Sequence, residues 1–278
     1  MLQLKKKKLL THFRPLVLSR HPSHDRLRLV HKLLPVLPFR SVIRLGSTTE
    51  AEAERIELNS IQSVKNSANK LLMKQCFMEG SVMTADWTDK VENISIISED
   101  WKSPIVAKHI FGSRGNGNYK LDNQEQLEAW LTGKDLSKYI FEKFYNYSRE
   151  YRLHVTKNGC IYTNRKMLKS DTPEEKRWFR NDSNSNWWVE TNEGFDKPVN
   201  WDLVVSESVK ALKAVGLDFG AVDLRIQSRL DKKGNVRENP DFIVVEINSA
   251  PSFGEGTLEV YLQVLPELLK EKYAERKN

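Results

Sequence analysis

The sequence predicts an α/β fold of the α+β type, and three stretches carry that expectation. DFIVVEINSAPS (241–252) opens with a short apolar run, Asp241 to Val245, that reads as a strand. PIVAKHIFGSRGNG (104–117) reads as a strand entering a Gly-rich hairpin, because NYKL (118–121) resumes as a strand. Residues 201–215 place Leu203, Val204, Val209, Leu212 and Val215 where a helix can turn them to a core, with Gly216 to end it.

Composition bounds the class. At 278 residues, 39% hydrophobic and 29% charged, the chain has the make-up of an ordinary globular protein of one or two domains. No apolar run approaches the ~18 residues needed to span a bilayer. Cys76 and Cys160 offer neither a disulfide framework nor metal-ligand spacing, which fits a cytoplasmic protein. Residues 1–46 hold eleven Lys or Arg against one acid, Asp25; this net +10 leaves −3 of the total +7 on residues 47–278. Such a segment attracts acidic protein, nucleic acid or anionic lipid, or serves as a solubilising tail. The Lys5–Lys8 block and prolines 15, 22, 35 and 38 speak against a mitochondrial transit peptide, and Leu9-Leu10 is too short for a secretory core.

The elements follow in order. Residues 15–19 (PLVLS) suit a strand, His21 to Leu34 a helix capped by Ser23 or Asp25 with Leu27, Val30, Leu33 and Leu34 inward, and 39–46 (FRSVIRLG) a second strand. Together they form a short βαβ-like unit. A polar linker, Ser47 to Glu54, precedes a helix from about Ser60 to Gly80, with Val64, Ala68, Leu71, Leu72 and Gln75 on successive turns. Val82 to Trp87 returns towards a strand. After the Gly-rich hairpin, residues 123–132 form a short amphipathic helix with Leu127, Trp130 and Leu131 inward. Tyr139 to Phe144, Glu150 to Thr156 and Cys160 to Leu168 are strands, the last two joined by a Lys157-Asn158-Gly159 turn. Residues 169–200 are polar and irregular, with Trp178, Trp187 and Trp188: a substrate-covering segment or a surface loop anchored by its indoles. Then come the 201–215 helix, a strand over 220–227, a charged turn from Asp231 to Asn239, the 241–248 strand, and a helix from Glu259 to Glu275 interrupted near Pro266.

Chemistry concentrates at strand ends. Residues i and i+2 of a strand share a face, so Glu246 and Asn248 present two oxygen ligands side by side, and Asp223 adds a third from GAVDLRIQ. Oxygen ligands suit a hard cation such as Mg²⁺; a polar strand end turning into the Pro251 loop is the alternative. Lys108, inside an apolar strand, needs a counter-charge or an anionic ligand. Gly112, Ser113, Gly115 and Gly117 give a hairpin that can fold over phosphates or simply turn. No helix follows those glycines, which excludes a Walker-type loop and a Rossmann fingerprint. His154 has no ligand-spaced neighbour and reads as structural or exposed. A protein-kinase reading fails for want of a His-Arg-Asp sequence.

In order, Lys70, Lys108, the Gly-rich hairpin, Glu142 to Phe144, Glu150 with Arg152, Arg165 with Lys166, Asp223 and Glu246–Asn248 form a pattern. From about Asn59 to Gly256 it resembles the ATP-grasp superfamily, and within it the ribosomal-protein glutamate ligases, which join an amino acid to a carboxylate. The resemblance implies two α+β subdomains clasping ATP, over 58–138 and 139–278, after a reduced basic segment at 1–57. It implies that Lys70, Lys108 and Gly112 to Gly117 contact ATP phosphates. Glu142, Lys143 and Phe144 would form the hinge beside adenine, largely through backbone groups, and Glu150 would hold the ribose. Arg165, with Lys108, would act on the transferred phosphate. Asp223, Glu246 and Asn248 would ligate one or two Mg²⁺, and Arg152, Lys166, Arg180, Asn181 and Ser249 would face substrate.

The implied reaction is ATP-dependent amide formation between a carboxylate and an amine or amino acid through an acyl-phosphate. Other ATP-grasp phosphoryl transfer, or nucleic-acid binding with a vestigial nucleotide site, are the alternatives. The shortened N-terminal segment implies a substrate pocket rebuilt or supplied by a partner. Its basicity would suit an acidic or nucleic-acid-linked substrate.

Overall fold

The computed structural model describes residues 12–20, 30–52, 54–113, 115–181, 183–192, 195–254 and 256–277. A parallel sheet comes first: β1 (Leu16–Ser19) pairs with β2 (Ser41–Leu45), and β2 with β3 (Ile56–Leu58). The βαβ-like expectation holds for its two strands, and β3 extends the sheet from a stretch with only three strand residues to signal it. The helix expected over 21–34 lies mostly outside the described residues, as do Lys5–Lys8. Residues 30–33 are helical, and the Arg14 guanidinium caps their last turn by donating to the carbonyls of His31 (3.3 Å) and Leu34 (2.9 Å).

The single helix expected from Ser60 to Gly80 is two, α1 (Ile61–Ala68) and α2 (Lys70–Glu79). Asn69 is extended (φ −106°, ψ 116°), and its side-chain oxygen accepts from the backbone N–H of Leu71 (2.9 Å) and Leu72 (3.3 Å). That N-cap restarts the helical phase. Met73, Lys74 and Phe77 turn inward, whereas Leu71, Leu72 and Gln75 are only partly covered.

A four-stranded sheet is built from β4 (Trp87–Thr88), β5 (Ile105–His109), β6 (Asn118–Leu121) and β7 (Tyr139–Lys143), in the order β4-β7-β5-β6 and antiparallel throughout. Ile94 of α3 (Ile94–Ile97) and Leu127 of α4 (Gln124–Leu131) cover one of its faces. A five-stranded antiparallel sheet follows, from β8 (Arg149–Thr156), β9 (Gly159–Leu168), β10 (Ser185–Val189), β11 (Phe219–Ile226) and β12 (Phe242–Asn248), ordered β10-β9-β8-β11-β12. Strand β10 lies inside the stretch expected to be irregular. Tyr151, Leu153, Val222, Leu224, Val244 and Ile247 cover one face, packed against Met73 and Phe77 of α2 and against Val204, Leu212 and Val215 of α5 (Trp201–Val215). Leu203, expected inward, is exposed. Helix α6 (Thr257–Glu275) runs without interruption through the buried Pro266. Its Tyr261, Leu265 and Leu268 join Phe219 to the N-terminal sheet.

The sheets cut across the chain division expected at residue 138. β7 belongs with β5 although it lies in 139–278, and α1 and α2 pack on the five-stranded sheet although they lie in 58–138. One buried side chain stitches the N-terminal layer to this body. Asn59, at φ +60°, donates its amide to the carbonyls of Arg44 (3.3 Å) and Phe219 (3.1 Å) and accepts from the N–H of Asp218 (2.9 Å) and Phe219 (3.3 Å). Replacing Asn59 with Ala removes the partner of four backbone groups, three of those bonds buried and one part-buried, and should cost about 2–4 kcal/mol, read as a lower urea midpoint at unchanged slope. A loss under about 0.5 kcal/mol would contradict this role.

Candidate functional site

The open face of the five-stranded sheet and the four-stranded sheet enclose a cavity of about 510 Å³. Its walls divide by chemistry. Ala85, Val106, Phe144, Ile243 and Val245 make an apolar slot, and Lys70, Lys108, Gly112, Ser113, Glu246 and Asn248 line a polar region. A β-bulge on β12 produces this juxtaposition. Asp223 pairs with Glu246 but Leu224 pairs with Val244, so Val245 is the extra residue. The bulge re-aims the strand. Ile243 and Val245 face the cavity on one side of it, Glu246 and Asn248 on the other.

Charge fills the floor. Arg152 grips Asp223 with two hydrogen bonds of 2.7 Å, the fork geometry in which guanidinium and carboxylate bind most strongly. Lys166 sits between Glu150 (3.0 Å) and Asp223 (3.9 Å). Glu150 also meets Arg225 (3.3 Å) and Arg180 (3.6 Å). Burial opposes ionisation of Glu150, but Lys166, Arg225 and Arg180 outweigh it and hold the carboxyl below its ordinary range. Its oxygens are thus engaged by three cations, an environment unlike the ribose contact that the resemblance implies. Asp223 is likewise held low: burial is overcome by Arg152 and then Lys166.

A second ionic cluster lies under the apolar slot. Glu142 of β7 is bracketed by Lys108 of β5 (2.7 Å) and by Lys74 of α2 (3.4 Å). The position of Lys74 was not legible in the sequence, because only the helix break at Asn69 turns it inward. Lys70, at the first turn of α2, bonds to the carbonyl of Gly112 and lies 3.7 Å from Glu246. The hairpin is tight. A Cβ on Gly112 would collide with the Asn116 carbonyl, and the N–H groups of Gly112 and Asn116 close turns within the loop. Gly115, at φ +81°, lies against the Phe179 ring from the opposite wall.

The structure therefore brings together Lys70, Lys108, Gly112, Ser113, Gly115, Glu142, Lys143, Phe144, Glu150, Arg152, Lys166, Arg180, Asn181, Asp223, Glu246 and Asn248. Three expected residues stand apart. Gly117 packs on His109, and Ser249 is buried away from the cavity. Arg165 is on the opposite face of β9: it pairs with Asp196 and covers Tyr151, in register with the core side of β8. Alternation along the strand gives the cavity to Lys166 instead. Arg20, Trp178, Phe179, Trp187 and Arg225 line the cavity and were not singled out by sequence, although the indoles mark the covering segment. His154 is buried and hydrogen-bonded to Tyr261 (3.0 Å), a structural residue. Asp218-Phe219-Gly220, a tripeptide that binds metal in protein kinases, instead ties Asn59 (2.6 Å) and Lys272 (2.7 Å) to β11.

Asp223, Glu246 and Asn248 are all oxygen donors; the two acids face each other across β11 and β12, and Asn248 lies 3.4 Å from Glu246. Among the described residues no group of three or more His, Cys, Asp or Glu forms a closed metal cage. Two carboxylates and an amide are an oxygen donor set that would suit a hard cation such as Mg²⁺.

No known protein family and no curated protein matches the sequence. Solved structures match in fold. D-alanine–D-alanine ligase from Bacillus anthracis gives a TM-score of 0.65 at 12% identity over 94% of this chain and 98% of that one. The ATP-grasp ligase PsnB, solved with a minimal precursor, Mg and ADP, gives 0.61 at 13% over 92% and 97%. Biotin carboxylase from Campylobacter jejuni gives 0.57 at 15% over 84% of this chain and 54% of its own. The protein has the ATP-grasp fold. No helix among the described residues is long and apolar enough to cross a membrane.

The opposite facing of two adjacent cations is directly testable. Lys166→Met should weaken binding of a non-hydrolysable ATP analogue about tenfold or more while changing stability little, since Glu150 keeps Arg225 and Arg180. Arg165→Gln should lower stability by about 1–3 kcal/mol and leave nucleotide affinity within about twofold. Calorimetric titration and urea unfolding separate the two outcomes.

Proposed function

We propose that the protein is an ATP-dependent carboxylate–amine ligase that works through an acyl-phosphate. One observation carries the reading: a single cavity combines an apolar slot, a Gly-rich hairpin and eight Lys or Arg against four acids. That surplus of positive charge suits a polyphosphate together with a carboxylate. The apolar slot beside Phe144 receives the base. Lys70, Lys108 and the hairpin receive the phosphates. Mg²⁺, held by Asp223, Glu246 and Asn248, would neutralise charge on the phosphate oxygens.

The chemistry is positioning and charge cancellation. A substrate carboxylate oxygen attacks the γ-phosphorus, the bond to the ADP oxygen breaks, and an acyl-phosphate results. An amine nitrogen then attacks the acyl carbon, phosphate leaves with the C–O electron pair, and the nitrogen loses its proton to give the amide. Lys166 supports the transferred group, since it can exchange a carboxylate oxygen of Glu150 or Asp223 for a phosphoryl oxygen. Arg20, exposed at the end of β1, lines the same cavity beside Ala250 and Ser252 and pairs with no carboxylate among the described residues. It supports binding of the carboxylate substrate, and an acidic substrate in particular.

With Mg²⁺ and a panel of amino acids and acidic peptides, ATP turnover should yield ADP and phosphate in equal amounts. Accumulation of a stable phosphorylated product would instead indicate phosphoryl transfer without ligation. Arg20→Ala should raise the KM of the carboxylate substrate about tenfold and leave that of ATP unchanged. Glu246→Gln should raise the Mg²⁺ concentration for half-maximal turnover about tenfold. Unaltered Mg²⁺ dependence would remove Glu246 from the metal site.

A further inference from the structure

Lys74 is a fully buried lysine that lines no part of the cavity and has no role in the reaction as described. Its ammonium donates to the Thr84 hydroxyl and lies 3.4 Å from Glu142 Oε1; the other oxygen of Glu142 accepts from Lys108 at 2.7 Å. Thr84 is itself fixed, its hydroxyl donating to the Val244 carbonyl of β12 at 2.7 Å. The Glu142 side chain is almost as deeply buried, at 4% exposure, although it lines the cavity together with Lys108. A buried carboxylate demands a counter-ion. If Lys108 were its sole partner, the pair would be neutral and Lys108 would have little charge left for a ligand. With Lys74 present the trio carries a net +1; Lys108 and Glu142 line the cavity and Lys74 does not, so the cation that meets a ligand is Lys108.

We propose that Lys74 is a positioning residue for the nucleotide: by neutralising Glu142 from below, it leaves the charge of Lys108 available to the phosphates of ATP. The proposal rests on the ATP-site reading above. It also gives ATP affinity a pH dependence. Burial, countered by Glu142 and reinforced by Lys108, lowers the Lys74 pKa from 10.5 to about 8. The charged groups that act on it are Glu142 from β7, Lys108 from β5 and Glu246 from β12, with the Thr84 hydroxyl beside it. Above about pH 8 the trio falls to neutral and ATP affinity declines. Stability moves the other way. Between about pH 8 and 10.5 the folded chain binds fewer protons at Lys74 than the unfolded chain, so this group's contribution to stability rises with pH. A buried lysine with a purely structural role would share the stability trend but not the decline in ATP affinity.

The test is equilibrium binding of a non-hydrolysable ATP analogue with Mg²⁺ to the full chain. Wild type should lose about tenfold in affinity from about pH 7 to about pH 9. Lys74→Met should bind about tenfold more weakly at pH 7 and show no further alkaline decline. Adding Glu142→Gln to Lys74→Met restores the net +1 on Lys108 and should recover most of the lost affinity, which a packing defect would not do. Lys74→Met binding as tightly as wild type, or a double variant no better than Lys74→Met, would overturn the proposal. Absence of saturable binding in wild type at any pH would bring down the ATP-site reading, and this proposal with it.

Discussion

Four carboxylates lie in the walls of one cavity, and none is left to water alone. Asp223 is held by Arg152, Glu150 by Lys166, Arg225 and Arg180, Glu142 by Lys108 and Lys74, and Glu246 by Lys70. A charge in a low-dielectric site survives only with a partner, and this requirement organises the molecule. It dictates that β5, β7 and α2 meet at Glu142, and that β8, β9 and β11 meet at Glu150. The same cations that make the acids tolerable are those that, on the proposed function, would meet an incoming polyphosphate.

Ligand binding on this account is an exchange of partners. Pairs at 3.7 and 3.9 Å, Lys70 with Glu246 and Lys166 with Asp223, are loose enough to yield a cation to a phosphate oxygen. The fork between Arg152 and Asp223 is not, and it keeps β8 and β11 in register while the others move. Trp187 lies over both Arg152 (4.8 Å) and Lys166 (4.9 Å), shielding the exchange from solvent and adding a cation–π contact to each.

Much of this was legible in the sequence, because strands announce themselves by alternation and the acids and lysines fall at defined positions on them. Strand β6 and helix α5 fall on the expected residues, and the Glu246–Asn248 pair occupies the expected face. What escaped has specific causes. A helix break set by one capping residue, Asn69, decides which lysine of α2 is buried, and no periodicity of a continuous helix yields Lys74. The β12 bulge is invisible in an apolar run whose two faces are both hydrophobic, yet it alone lets Val245 and Glu246 share the cavity. Arg165 and Lys166 are adjacent cations, and only the register with Tyr151 and Glu150 says which faces the site. Strand β10 hides in polar sequence, since its Trp187 covers charges instead of a core.

On the proposed function, the cavity between the two sheets takes Mg²⁺ and ATP by exchanging internal ion pairs for phosphate contacts. A crystal structure of the complex with Mg²⁺ and a non-hydrolysable ATP analogue tests it most directly. The base should lie in the slot lined by Phe144 and Ile243 and the phosphates against Lys70 and Lys108. The metal should lie between Asp223, Glu246 and Asn248, and Lys166 should be withdrawn from Glu150 or Asp223. A nucleotide bound elsewhere, or phosphates in this cavity with every ion pair of the free protein intact, would contradict it.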